Sequence, residues 1–585
     1  MIQIKFRNIL EILTPIIFIY IIISLGWKTF RFFNSEIIIT IVLTIIFLHI
    51  FIIFCKNNLP KNYKSMIFLS FSILVIFLFF SFIKIFIYNN GKITDDIKIY
   101  LLISLILYIL IRVTYFMRKI YVKIHNPAFV FIISFIFLSF LGSFLLMLPS
   151  STVKKISFID ALFTSTSAVC VTGLVVLDTA KDFTYLGKVI ILILIELGGL
   201  GILTITSFFS YFFRDGFSFK EAIFVSNFLN TKTTNNVLSL AVKVVLFTLT
   251  IEFIGTLLIY FSINNNKNIV YLDNDSPLFF SIFHSISSFC NSGFSTLSQG
   301  LYSQSVRFNY YLQIIIAFLL ILGGIGFNIL FNFFTYIWLN MKKYFYKIFK
   351  DEYFRYPVHV VTLNTKIVVT TTFFLLFFGT IFYYISEYNF SLSEHSSFYG
   401  KFIASFFSSA TSRTAGFHVI NMNNLSPITI FFTIFLMWIG ASPASTGGGI
   451  KTSTFALALM NIFSLSRGKN RLEIQRKEIS SESVRLAFSI IMLSLIVIYI
   501  SILLIIFLDP KEDILSISFE VFSAFSTAGL SLGITSNLSN GSKLVLICLM
   551  LLGRIGVFNV MMGLLKNKIS SHYYYRFPKG NILIS

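Results

Sequence analysis

Charge, cysteine and histidine are all scarce in this 585-residue sequence. Its four cysteines, Cys55, Cys170, Cys290 and Cys548, each lie in an apolar run, and their spacing matches no disulfide framework or metal-ligand pattern. The seven histidines form no HExxH and no close pair, GxSxG does not occur, and the acids do not cluster as a metal site would require. These gaps argue against an enzyme and against a cofactor bound by the chain itself. Asp and Glu total 24 against 46 Lys and Arg. The excess of +22 would attract nucleic acid if it formed a stripe, but the basic residues lie in short loops between apolar runs. Cytoplasmic loops of a membrane protein show that distribution.

What the sequence has in quantity is apolar length. Hydrophobic residues make up 56% of it, charged residues 12%, and mean hydropathy is +0.86. Runs of about 20 apolar residues cross a hydrocarbon layer of about 30 Å, so the fold class is an all-α polytopic membrane protein. Four runs come first, at 9–27, 36–55, 65–88 and 97–117. The first follows Lys5 and Arg7, and its far flank, "GWKTFRFF", lacks a small-residue cleavage site, so it reads as an uncleaved helix.

From residue 126 a unit of about 115 residues recurs four times. Each has a long apolar helix, a short semi-polar stretch ending in a glycine motif, and a second long helix. The motifs are "CVTGLV", "CNSGFS", "RTAGFH" and "STAGLS", with Gly173, Gly293, Gly416 and Gly529 spaced by 120, 123 and 113 residues. A second signature follows on each second helix: "ELGGLGILT", "ILGGIGFNI", "WIGASPASTGGGIKT" and "LLGRIGVFN". The chain divides into 1–125, an N-terminal four-helix extension, and four units at 126–230, 231–350, 351–475 and 476–585.

The stretch before each glycine motif is too short to span. Ser157–Val169, as a helix, reaches about 20 Å. Ser276–Phe289, Ser396–Thr411 and Asp513–Phe525 behave alike. Such a half-helix is tolerated only where it is buried in protein or lines a wet cavity. The chain must then turn back, which glycine permits. Four returns around one axis would present rings of carbonyl oxygens able to replace the water around a cation. Close helix packing through small residues explains any single motif equally well, but not four in register.

At these residues the chain resembles the Ktr/Trk/HKT superfamily of cation transporters, over residues 126–585, with "VCVTGL", "SRTAGF", "GASPASTGGGIKT" and "FPKGNILIS" carrying the match. The resemblance implies four M1–P–M2 repeats in a pseudo-fourfold, potassium-channel-like arrangement. It implies an ion filter of Val171, Thr172, Gly173, Asn291, Ser292, Gly293, Thr414, Ala415, Gly416, Thr527, Ala528 and Gly529, with K+ held by their backbone carbonyls. Glycine in all four repeats goes with potassium, with Na+ as a stimulating ion. The resemblance also implies a homodimer in the plasma membrane, docked on a cytosolic ring of nucleotide-binding regulatory subunits. The stretches at 214–236, 341–366 and 463–485 would be the docking surface, and the C-terminal "NILIS" would lie at the dimer interface.

Two features bear on gating. The third second helix, Ile428 to Phe463, is 36 residues, or about 54 Å if continuous, and "ASPASTGGG" splits it. A phosphate-binding loop would need Gly before Lys451, where Ile450 stands. By resemblance, Ser442, Pro443, Ala444, Ser445, Thr446, Gly447, Gly448 and Gly449, with Lys451, form an intramembrane gate. Arg554, costly inside an apolar helix, would project below the filter near that gate. After it, "GVFN" replaces the family's usual "GPLT". Glu196, Glu252 and Lys451 are expected to pair or cap, and Arg413 to point into the protein. An alternating-access symporter is the rival reading, but it favours inverted repeats, and these units all run the same way.

Overall fold

The computed structural model describes residues 127–201, 237–264, 276–349, 361–469, 471–474 and 477–564. The N-terminal extension, the stretch 214–236, part of 341–366 and the C-terminal tail lie outside the described residues.

The described chain is almost wholly helical, and a triplet of long, short and second helix recurs. The first set is α1 (Pro127–Leu146), α2 (Phe158–Val169) and α3 (Tyr185–Leu200). The second is α4 (Val237–Asn264), α5 (Pro277–Phe289), α6 (Tyr310–Ile325) and a continuation, α7 (Phe327–Phe349). The third is α8 (Leu363–Ser386), α9 (Phe398–Thr411), and a second helix in two pieces, α10 (Pro427–Trp438) and α11 (Thr452–Ser466). The fourth is α12 (Ser481–Leu508), α13 (Ile514–Ser526), α14 (Asn540–Ile555) and α15 (Val557–Leu564). A two-residue hairpin, β1 (Glu473–Ile474) with β2 (Lys477–Glu478), joins the third set to the fourth.

Length and polarity explain these roles. Among the described residues, four helices are long and apolar enough to cross a membrane, all of them first helices: Phe129–Leu146, Ala241–Asn264, Leu363–Ser386 and Ser481–Leu508. Their outer faces carry exposed Phe253, Phe261, Phe373, Phe377 and Tyr499, a surface suited to lipid. The short helices are buried instead, α2 without interruption from Ala161 to Val169. Three of them start on a serine whose hydroxyl accepts from a first-turn amide: Ser157 from Asp160, Ser276 from Phe279 and Ser397 from Gly400. The second helices start on Thr184, Asn309, Ser426 and Ser539, which cap in the same way.

Packing closes the series into a ring. Helix α3 packs on α5, α6 on α9, α10 on α13, and α14 back on α2, so each second helix lies against the next short helix. Glycines set the separations within each set. A Cβ on Gly198, Gly323 or Gly553 would fall on a carbonyl oxygen in the last turn of the short helix, at Val169, Phe289 and Phe525 respectively. On the first helices, Gly142 and Gly379 lie against the hydroxyls of Ser165 and Ser409, and Gly255 against that of Ser285. Those serines donate to first-helix carbonyls, at Ser139, Leu376 and Glu252.

One expectation is corrected here. The sequence places each second signature on the second helix, but α3, α6 and α14 stop within it, at Gly201, Gly326 and Gly556, whose φ angles are +74°, +92° and +88°. That left-handed conformation ends a helix and is open chiefly to glycine. Between α6 and α7 the axis bends by 104°.

Candidate functional site

Each short helix ends in the same backbone turn. Val171, Asn291, Thr414 and Thr527 have φ of +57°, +60°, +76° and +53°, and two residues later Gly173, Gly293, Gly416 and Gly529 have +90°, +70°, +82° and +77°. A non-glycine residue at positive φ costs free energy unless its surroundings enforce it. Its recurrence at one register of four segments argues that they share a constraint.

The glycines show what the constraint is. A Cβ on Gly173 would strike the carbonyl oxygen of Ser292 and lie 3.2 Å from the Cα of Gly293. Gly293 meets the Ala415 oxygen and Gly416 in the same way, Gly416 meets the Ala528 oxygen and Gly529, and Gly529 meets the Thr172 oxygen and Gly173. The circuit closes. Four segments separated by more than a hundred residues meet around one point, where no side chain fits between them.

Side chains from the short helices hold the returns. Ser167 accepts from the Gly173 amide and donates to the Leu174 carbonyl. Ser287 donates to the Phe294 carbonyl and Thr411 to that of Phe417, at 2.7 and 2.6 Å. The fourth return uses a different brace: Glu520 accepts from the Leu532 amide and from the hydroxyls of Ser531 and Thr535.

The loop 439–451 between α10 and α11 lies against the ring. Its neck closes through a bridge between Ile439 and Ile450. The Gly448 amide donates to Thr527 Oγ1 at 2.9 Å, and a Cβ on Gly447 would strike Thr414 Oγ1. Its other bonds reach neighbouring second helices. The Ser442 amide donates to the Gly324 carbonyl at 3.0 Å, the Phe327 amide to Ala444 at 3.1 Å, and the Gly449 amide to Gly553 at 3.3 Å. Lys451 folds back and donates to the Gly447 carbonyl at 2.6 Å. Pro443 and Ser445 complete the outer turn, where Ser445 donates to the Ser442 carbonyl, and Thr446 donates through its amide to Gly323.

Arg554 does not contact this loop through a described hydrogen bond. Its Nη2 donates to the carbonyls of Gly198 and Gly199 at 2.6 and 3.4 Å, where a helix end offers partial negative charge. It therefore ties the fourth set to the first. Arg413 is buried, at 9% exposure, and its Nε has no hydrogen-bond partner.

A second expectation is corrected at this level. Sequence spacing shows no cluster of acids and cysteines, yet Glu196, Glu252 and Cys290 converge from α3, α4 and the end of α5, with ligand atoms within 4.8 Å of one another. The helix stops at Gly201, Gly326 and Gly556 and the brace at Glu520 also escape sequence reading.

Residues 93–571 match the TrkH family, described as cation transport protein. That match begins before residue 126 and takes in the last of the four N-terminal apolar runs. The chain is 34% identical over 476 residues to the potassium/sodium uptake protein NtpJ of Enterococcus hirae, across 80% of this chain and 99% of that protein. It is 35% identical over 458 residues to the Ktr system potassium uptake protein B of Bacillus subtilis, across 78% and 96%. In fold it is similar to the potassium transporter TrkH from Vibrio parahaemolyticus, with a TM-score of 0.59 at 18% identity, covering 86% of this chain and 97% of that one. The chain belongs to the TrkH family of cation transport proteins.

Proposed function

We propose that this chain is the ion-translocating subunit of a potassium uptake system in the plasma membrane. Its four helix sets act as M1–P–M2 repeats about one axis, behind an N-terminal helical extension within residues 1–125. Potassium sheds its water at the returns and is held by the backbone oxygens of Val171–Gly173, Asn291–Gly293, Thr414–Gly416 and Thr527–Gly529. The observation that carries this reading is the closed circuit in which each of four glycines abuts the carbonyl preceding the next. Rings of carbonyls are how selective cation filters replace a hydration shell. The names of the relatives in Enterococcus and Bacillus support potassium as the cargo. The membrane potential supplies about 2.3 kcal/mol per charge for each 100 mV.

The loop 442–449 is the gate in this reading. It lies against Thr414 and Thr527, the residues that open the third and fourth returns, and its bonds reach α6 and α14. Movement of those helices would move the loop. Arg554 helps by holding the end of α3 to α14. A cytosolic nucleotide-binding ring, docked on a homodimer of this chain, would supply the movement.

Rubidium uptake into a host lacking its own potassium uptake tests the proposal. Expression should restore uptake, and Gly173→Ser should erode the preference for potassium over sodium. Unchanged selectivity in a well-folded variant would refute the filter assignment.

A further inference from the structure

Glu196, Glu252 and Cys290 take no part in the pathway proposed above, and their geometry calls for a separate account. Cys290 Sγ lies 3.7 Å from Glu196 Oε2 and 3.8 Å from Glu252 Oε1. Glu252 is 4% exposed, Cys290 2%, and Oε1 of Glu196 is sealed from solvent with no hydrogen-bond partner. Two carboxyl groups side by side within a transmembrane bundle cannot both stay ionised without a neutralising partner. A thiol is a weak donor and does not provide one.

We propose that these three side chains form a binding site for a thiophilic divalent cation of the zinc class. The spacing fits: in a tetrahedral site with metal–sulfur near 2.3 Å and metal–oxygen near 2.0 Å, sulfur and oxygen stand about 3.5 Å apart. A thiolate with two carboxylates selects such a metal over magnesium or calcium, which prefer all-oxygen shells. The charge also balances. Two carboxylates and a thiolate carry three negative charges, the metal two positive. The remaining positive charge is that of Arg554, which holds the carbonyls of Gly198 and Gly199, and Gly199 packs directly on Cys290 Sγ. Binding releases the thiol proton and the one proton the carboxyl pair would otherwise share. Glu196, partly exposed, offers the approach.

Such an ion would fasten three elements to one another: the end of α3, the middle of α4 and the residue before Asn291. It would hold the second return in place.

The test uses the purified full-length chain titrated with Co2+ and Cd2+, read by thiolate-to-metal charge-transfer absorption, which is independent of transport and of the filter assignment. One equivalent should produce the band, Cys170→Ser should keep it, and Cys290→Ser should abolish it. Glu196→Gln should weaken binding by about tenfold or more, and decides the matter if Cys290→Ser does not fold. Absence of the band in the parent chain, or its survival in Cys290→Ser or undiminished affinity in Glu196→Gln, would overturn the proposal and leave a proton shared between the two glutamates.

Discussion

The four second helices start alike and end differently. Three stop at a left-handed glycine, and in two of these a new helix begins at once. The third stops at Trp438 and does not become helical again until Thr452. The segment between them is not an unstructured insertion, because its amides donate to α6, α14 and Thr527 and its Ala444 carbonyl accepts from α7. In a structure otherwise built by repetition, this departure from the repeat lies at the ring. Repetition serves the ring, where four equivalent contributions are needed. In the function proposed above, a single departure is enough for a gate, since one obstruction closes one passage.

Breaking the repeated part should have the largest effect. Gly173→Ser puts a side chain at φ +90° against the Ser292 carbonyl, where backbone strain alone costs about 1–3 kcal/mol. Rubidium uptake should fall about tenfold or more, with sodium discrimination reduced. Removing 442–449 attacks the departure instead, and basal flux should rise several-fold in reconstituted vesicles; a folded but inactive product would mean that the loop is structural. Arg554→Ala frees the end of α3 without touching either part directly, and its rise in flux should be smaller than that of the deletion.

Two further changes separate stability from flux. Lys543 on α14 pairs with Asp160 on α2 at 2.8 Å, with side-chain exposures of 9% and 20%. Removing one partner of a fully buried pair costs about 3–5 kcal/mol, so Lys543→Ala should lower Tm by less than that range implies. Asp160→Ala in the same chain should restore part of the loss. The smallest effect is expected from pH. Burial, aided by the charges of Arg307 and Lys401 and opposed by Glu394, lowers the His395 pKa from 6.5 to about 4. The unfolded chain therefore takes up this proton first, and the stabilisation it provides is lost as pH falls from 6.5 toward 4. Tm measured across that window should slope downward toward acid, and His395→Gln should flatten the slope.

Local chemistry made part of this legible in the sequence. Half-length semi-polar stretches and glycines in register mark the short helices, because length and turn chemistry act within a few residues. Arg554 stood out because a charge inside an apolar run is expensive. The helix stops at Gly201, Gly326 and Gly556 lie inside motifs that the sequence places on the second helix, although a glycine at the end of a run is also a helix stop. What no local rule could supply was contact between distant segments: the circuit of glycines and carbonyls, the carbonyls that hold Arg554, and the meeting of Glu196, Glu252 and Cys290.

The central claim is that cations pass along the common axis of the four returns and are driven by the membrane potential. Rubidium flux through the reconstituted chain at clamped potential, with and without sodium, tests it most directly. The account predicts flux that follows the potential and continues when sodium is absent. Flux that stops without sodium and scales with it in fixed stoichiometry would contradict it.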